Sequence, residues 1–347
     1  MGIDISTVLL WTPPNFQLGA PLMPNKYPEK KGWNVPKQKY RVSNWTDYTD
    51  SLRQRGNITV WLSEDAISQW YEADRVYDGT GTPRLYTDFA IITCHEIRLV
   101  YKLPLRQCQG FIDSLFQLMK ISLSCPDFSV LSKRLGELEI KVPRYKKTEK
   151  MDDDIHAIAI DSTGLKRFGR GEWHQEKYEL SSKASWRKLH LAINQDHYIE
   201  ACILTDRFSH DDQQIRPLLE QIDTPIDHFS GDGAYDETPV YAAVIEHSPN
   251  ADVVIPPRSN AVENDKSAPQ RNRNIIEIEM NGRMQWQKSR EYGRRNYSEL
   301  GVQRYQRTFG DTMHARDFPR QQQEAMIASG ALNKMTSLGM PQSHRSA

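Results

Sequence analysis

The chain has 347 residues, about twice the usual size of one domain, so one large or two ordinary domains are expected. Its 38% apolar and 26% charged residues exclude a wholly disordered chain, and no run of 18 apolar residues is present to cross a membrane. Lysine plus arginine equals aspartate plus glutamate at 45 each, so overall basicity gives no argument for a nucleic-acid partner.

The first residues, MGIDISTVLLWTPPNF, have no basic n-region and no small-residue cleavage site, which points away from a secretory signal. Residues 1–43 carry Pro13, Pro14, Pro21, Pro24, Pro28 and Pro36 and read as a loose basic arm. Residues 44–140 read as helical. Leu85, Phe89, Ile92, Glu96 and Val100 are three to four apart, with Thr87 or Asp88 as N-cap. Phe111, Leu115, Leu118 and Met119 form a second stripe, and a third helix starts near Asp127. Three short helices with a basic Ser132-Lys133-Arg134 turn suit a helix-turn-helix reader of DNA, and equally any small helical bundle. Cys94, Cys108, Cys125 and Cys202 lack C-x-x-C spacing, which points away from zinc or a disulfide scaffold.

A charged, proline-containing connector at 141–153 precedes a change of period. His156–Ser162, Arg187–Ile193 and Ile199–Thr205 alternate like three strands of an antiparallel meander. A helix over 211–222, a strand at Ile226–Ser230, a helix at Val240–His247 and a strand at Asp252–Ile255 follow. Residues 258–274 read as a loop, Trp286 to Phe309 as one long polar helix, and 317–347 as a polar, Gln-rich tail. The order β-β-β-α-β-α-β-α fits an RNase H-like domain over 154–316, so the fold class is mixed α/β and α+β, preceded by a small, mainly helical domain that suits DNA binding or plain bundle packing.

Charge is uneven along the chain. Residues 26–55, 133–150 and 271–307 carry eight, seven and nine basic residues against three, three and four acidic. Residues 196–237 reverse this, with eleven acidic and two basic. An acidic centre flanked by basic segments suits a metal-dependent enzyme acting on a polyanion. Asp161 ends the first strand of the second domain, and Asp232 follows the fourth between two glycines. In that sheet order the two strands are neighbours, so the carboxylates repel unless protonated or bridged by a cation. Mg²⁺ takes oxygen ligands, and two such ions can clamp both the attacking and the leaving oxygen of a phosphoryl transfer. Tyr292, Arg295 and Glu299 at i, i+3 and i+7 share one helix face. Glu299 can complete the metal set, Arg295 can hold it or grip a phosphate, and Tyr292 can pack on DNA. His190 reads as structural, and Asp236 as a neighbour of the site or a helix cap.

Tyr292-Gly293-Arg294-Arg295-Asn296-Tyr297-Ser298-Glu299 matches Y-x-x-R-x-x-x-E, the signature of a group of bacterial insertion-sequence DDE transposases. Ile160-Asp161-Ser162-Thr163-Gly164-Leu165-Lys166 resembles that group's first-aspartate motif, Trp186-Arg187-Lys188-Leu189-His190 its second strand, and Gly231-Asp232-Gly233-Ala234-Tyr235-Asp236 its second-aspartate motif. Asn44-Trp45 with Tyr48, Arg55-Gly56 before Thr59-Val60-Trp61, and Pro126-Asp127-Phe128-Ser129 with Leu131-Ser132 and Arg134 resemble its N-terminal region. The resemblance covers about residues 40–310. It implies a retroviral integrase-like catalytic domain in which Asp161, Asp232 and Glu299 hold two Mg²⁺, with Mn²⁺ as substitute. Arg295 and Lys166 are expected at phosphates, and Ser132, Lys133 and Arg134 on DNA. The implied activity is binding of terminal inverted repeats, cleavage of the ends and joining of the 3′-hydroxyl to target DNA. Double-stranded DNA, a homodimer or larger assembly on it, and a bacterial cytoplasmic, nucleoid-associated location follow. A nuclease without strand transfer, or a non-catalytic DNA binder descended from a transposase, are the alternatives. Only 66 residues separate Asp232 from Glu299, which leaves little room for the β-rich insertion that some relatives carry.

Overall fold

The computed structural model describes residues 39–73, 84–143, 155–167, 186–264 and 268–346. Most of the expected arm and connector, with Asp152–Asp154, lies outside the described residues. The helical half begins with strand β1 (Lys39–Val42) and helices α1 (Trp45–Arg55), α2 (Ile58–Trp61) and α3 (Glu64–Ser68). Helix α4 (Asp88–Val100) starts where Thr87 Oγ1 accepts the N–H of Ala90 at 3.1 Å, satisfying one orphan donor. Every residue from Ala90 to Leu99 is buried, so α4 is a central strut. Helix α5 (Leu105–Leu118) starts earlier than its stripe suggested, and its buried face is Cys108, Ile112 and Phe116. Leu118 is 80% exposed, because the face one residue round meets the core. Asp127 caps α6 (Phe128–Leu135) by accepting the Ser129 N–H at 2.9 Å.

The second half is built on a five-stranded mixed sheet ordered β4-β3-β2-β5-β6. Strands β2 (Ala157–Lys166), β3 (Trp186–Asn194) and β4 (Ile199–Asp206) form the expected antiparallel meander. Helix α7 (Ile215–Leu219), shortened by a preceding 3₁₀ turn, leads to β5 (His228–Ser230), which pairs with β2 in parallel. Helix α8 (Thr238–His247) then leads to β6 (Asp252–Val254), parallel to β5. Alternation along β2 divides two cores. Ala157, Ala159 and Leu165 join one, and Ile158 and Ile160 join the other with α7 and α8.

Beyond β6 the structure departs from expectation. Helix α9 (Pro269–Asn281) occupies much of the expected loop, with proline at its first turn. The expected single helix from Trp286 to Phe309 is broken. Helix α10 (Arg283–Ser289) ends, Glu291 enters the left-handed region at φ 50°, a 3₁₀ turn spans Tyr292–Arg295, and α11 (Asn296–Phe309) follows. The expected polar tail is helix α12 (Phe318–Ser337), capped by Asp317 with proline in its first turn, and buried from Glu324 to Asn333. It packs on β4, α4 and α11, so the two halves share one core running from Trp61 to Met335. Asn333 bonds both backbone groups of Ile199, at 2.7 and 2.8 Å, closing the start of edge strand β4. Strand β7 (Ser343–Ser346) pairs antiparallel with β1. No helix among the described residues is long and apolar enough to cross a membrane.

Candidate active site

The parallel register Ala159↔Ser230 sets β2 and β5 level. Asp161 and Asp232 each follow two residues later, so their side chains leave neighbouring strands at one end of the sheet. Asp161 falls on the face of Ala157 and Ala159, the side covered by α11. Its Oδ1 accepts the Ser162 N–H at 2.8 Å. Burial pushes its carboxyl up to about 6, against the pull of the Ser162 N–H and Arg295, and the negative charges of Asp232 and Glu299 add to the rise. The three acids therefore lie within electrostatic reach of one another. Asp232 caps a 3₁₀ turn over Gly233–Tyr235, accepting the Ala234 N–H at 2.8 Å.

Glu299 lies in the first turn of α11, half exposed, and takes a 2.5 Å hydrogen bond from Arg295 Nη1. Arg295 is 15% exposed, and its buried Nε has no hydrogen-bond partner. The guanidinium thus holds Glu299 and lies within electrostatic reach of Asp161, so it can steady an anion there.

Three carboxylates at one sheet end suit a hard divalent cation, which takes oxygen ligands and relieves like-charge repulsion. The set is not closed. Among the described residues, no three His, Cys, Asp or Glu side chains are gathered closely enough to hold a metal. Glu299 is instead turned onto Arg295, so a ligand role requires it to swing from that partner.

Other expected residues fare differently. Tyr292 lies in the 3₁₀ turn that precedes the helix of Glu299. It is 5% exposed, its ring lies tilted against the buried Trp286 at 5.6 Å between centroids, and burial pushes its hydroxyl up to about 12. Lys166 stands five residues along β2 from Asp161, roughly 16 Å away at strand rise. It pairs with Asp311 at 3.2 Å, so it is not at the carboxylates. On α6, Lys133 is open to solvent and Ser132 half-buried, its carbonyl accepting from Arg320 Nε at 2.6 Å. Arg134 is turned inward: it is 6% exposed and bonds Tyr86 O at 3.0 Å and Asp88 Oδ1 at 2.5 Å. His190 is fully buried, as a structural histidine should be, with Nε2 2.9 Å from Thr205 Oγ1.

Sequence reasoning missed two features. Tyr235, buried beneath the Asp232 turn, lies within electrostatic reach of Asp161 and Asp232. Asp236 caps no helix, since the N-cap of α8 is Glu237. Its carboxylate is fully buried and takes a two-pronged bond from Arg271, Nε to Oδ1 at 2.9 Å and Nη2 to Oδ2 at 3.0 Å. Asp236 was visible in the sequence as the acid ending Asp232-Gly-Ala-Tyr-Asp; Arg271, 35 residues away, carried no signal.

Residues 53–170 and residues 153–334 each match a family model described as a transposase DDE domain, the second covering more than half of the chain. Among solved structures, a piggyBac transposase in a synaptic complex with hairpin DNA is similar over 86% of this chain and 78% of that chain. The identity is 12% and the TM-score 0.38.

Proposed function

The chain belongs to the transposase DDE domain family and is a DNA transposase, and from that premise we propose that Asp161, Asp232 and Glu299 are its metal-holding carboxylates. The observation that carries this reading is the level register of β2 and β5. It sets Asp161 and Asp232 level on neighbouring strand ends, with Glu299 on α11 within electrostatic reach of Asp161. The order β4-β3-β2-β5-β6 supports an RNase H-like catalytic domain spanning 154–316.

Divalent metal is the family's cofactor, and we assign two Mg²⁺, with Mn²⁺ as substitute. When bound, the ions polarise the scissile phosphate and stabilise charge on the attacking and leaving oxygens. The chain's own residues supply the rest. Asp161 would hold the centre from β2, and Asp232 from the turn that follows β5. Glu299 would complete the set from α11 once released from Arg295, and the planar fork of Arg295 would then be free to bond a phosphate oxygen. The reaction assigned is cleavage at the terminal inverted repeats of an insertion sequence, followed by attack of the freed 3′-hydroxyl on target DNA. Residues 44–140, with the arm before them, are assigned to end recognition, Lys133 and Ser132 among the contacts. Paired cutting of two ends calls for a dimer or larger assembly on DNA.

Glu299→Gln tests the assignment. It keeps side-chain size and removes one charge from a solvent-open position, so the fold and end binding should persist. Nicking and strand transfer should fall together by orders of magnitude, because several kcal/mol of transition-state stabilisation is lost. The assays are cleavage and joining of a labelled end duplex in Mg²⁺, beside a gel shift in Ca²⁺. A variant that still nicks at near wild-type rate removes Glu299 from the mechanism, and nicking without joining in the wild type leaves a hydrolytic nuclease.

A further inference from the structure

Asp232 stands on a loop, and its carboxylate is aimed by the 3₁₀ turn that it caps. That turn needs an anchor, since β5 ends at Ser230 and α8 starts only at Thr238. Three contacts provide one. Tyr235 is buried in the core under the sheet. Gly233 lies so close to the chain leaving β6 that an added Cβ would stand 3.3 Å from Pro256 O. Asp236, the residue after the turn, is gripped from three elements. Arg271 on α9 holds it with two bonds, the Arg258 N–H after β6 reaches Oδ2 at 3.3 Å, and the Tyr241 hydroxyl on α8 reaches Oδ1 at 3.5 Å.

We infer that the buried Asp236–Arg271 pair is a positioning clamp for this transposase, one that sets the Asp232 carboxylate in register with Asp161. A buried ion pair is weak evidence of stability, because replacing both members by neutral groups is often neutral or stabilising. Its position beside the loop that carries Asp232 points to another role. A fork-to-carboxylate bond fixes both distance and plane, which a single apolar contact does not. The clamp also ties α9, in the segment between Asp232 and Glu299, to the loop that carries Asp232. Residues that orient a metal ligand without touching the metal commonly change its affinity by about 10–100-fold when lost.

The inference rests on Asp232 being a metal ligand, and the test separates the two claims. Full-length wild type, Arg271→Met, Asp236→Asn/Arg271→Met and Arg271→Lys are compared in two measurements. One is the rise in melting temperature with Mn²⁺, which needs no turnover. The other is the Mn²⁺ concentration giving half-maximal nicking of an end duplex, well below each variant's melting temperature. Arg271→Met should melt early, because it strands a buried carboxylate. The double variant should recover the metal-free melting temperature, yet both metal readouts should stay displaced by about tenfold or more in Mn²⁺. Arg271→Lys keeps the charge without the fork and should fall between. End binding in Ca²⁺ should be unchanged throughout. A double variant, or Arg271→Lys, with wild-type Mn²⁺ dependence shows that the pair only supports the fold and overturns the clamp. If the wild type itself gains no stability from Mn²⁺ and does not nick, the metal assignment of Asp232 fails first, and the clamp with it.

Discussion

The elevated Asp161 carboxyl means that the metal-free site costs stability. Replacing Asp161 by Asn keeps shape and the Ser162 N–H acceptor and removes the charge that burial penalises. A rise from 3.8 to about 6 corresponds to about 3 kcal/mol for a fully dry group. Asp161 is only partly buried, so solvent screening reduces this to about 1–2 kcal/mol. An acid whose folded pKa lies above its unfolded value binds its proton more tightly when folded. The cost is therefore complete above pH 6, about halved near pH 5 and gone below pH 3.8. In EDTA at pH 7.5, Asp161→Asn should melt about 1–3 °C above wild type, and the gap should narrow at pH 5. Mn²⁺ should invert the order, since ligand bound only to the native state stabilises it by mass action and the variant has lost a ligand. The assay is thermal unfolding of both proteins with EDTA or Mn²⁺ at two pH values. An Asp161→Asn protein less stable than wild type in EDTA, or with the same Mn²⁺-induced rise, would refute the electrostatic account.

The other expectations concern the frame of the site. His95, His190 and His228 are buried, and burial holds each down to about 4. The unfolded chain then binds more protons, so this stability is complete above pH 6.5 and drains as pH falls toward 4. The loss at pH 5 is at most about 2 kcal/mol per histidine, and an unchanged urea midpoint between pH 7.5 and pH 5 would contradict it. Gly301 brings α11 so close to β3 that an added Cβ would stand 2.0 Å from Ile193 Cδ1 in a fully buried side chain. Gly301→Ala should cost about 1–3 kcal/mol of overpacking, outweighing an alanine gain of about 1 kcal/mol in helix propensity. Ile193→Val in the same chain should recover most of the loss, and a higher urea midpoint for Gly301→Ala alone would show that α11 is not seated so tightly.

The site was legible where local chemistry and strand order suffice. Asp161 could be placed because an apolar run ends in a carboxylate, and Asp232 because glycines bracket an acid after the next parallel strand. Their adjacency followed from the strand order. Glu299 was legible through its spacing from Arg295, which survives as a direct ion pair. Tyr292 misled because spacing of i, i+7 presumes one unbroken helix. Nothing in the residue pattern marks Glu291 as left-handed or Tyr292–Arg295 as a 3₁₀ turn, and Tyr292 is buried against Trp286. Lys133 and Arg134 show the same limit one residue apart. The charges are equal in sequence, but the first meets solvent and the second a carbonyl and a carboxylate 46 to 48 positions away.

Helix α12 was hidden for a different reason. Its start was announced by Asp317 and Pro319, and Ala325–Leu332 is apolar enough to pack. The glutamines and asparagine around that run suggested solvent, because a polar side chain is read as exposed unless its partner is known. Each buried one has a partner that only the fold supplies. Gln321 bonds Arg187 Nε and Ala315 O, Glu324 accepts the N–H groups of His314 and Ala315, and Asn333 closes the edge of β4. With those groups satisfied, α12 can be covered on both sides, by α4 from the helical half and by β4 from the sheet. The change of composition at 141–153 therefore does not divide the core. The helices assigned to end recognition and the sheet that carries Asp161 and Asp232 pack through one shared helix, whose neighbour α11 carries Glu299.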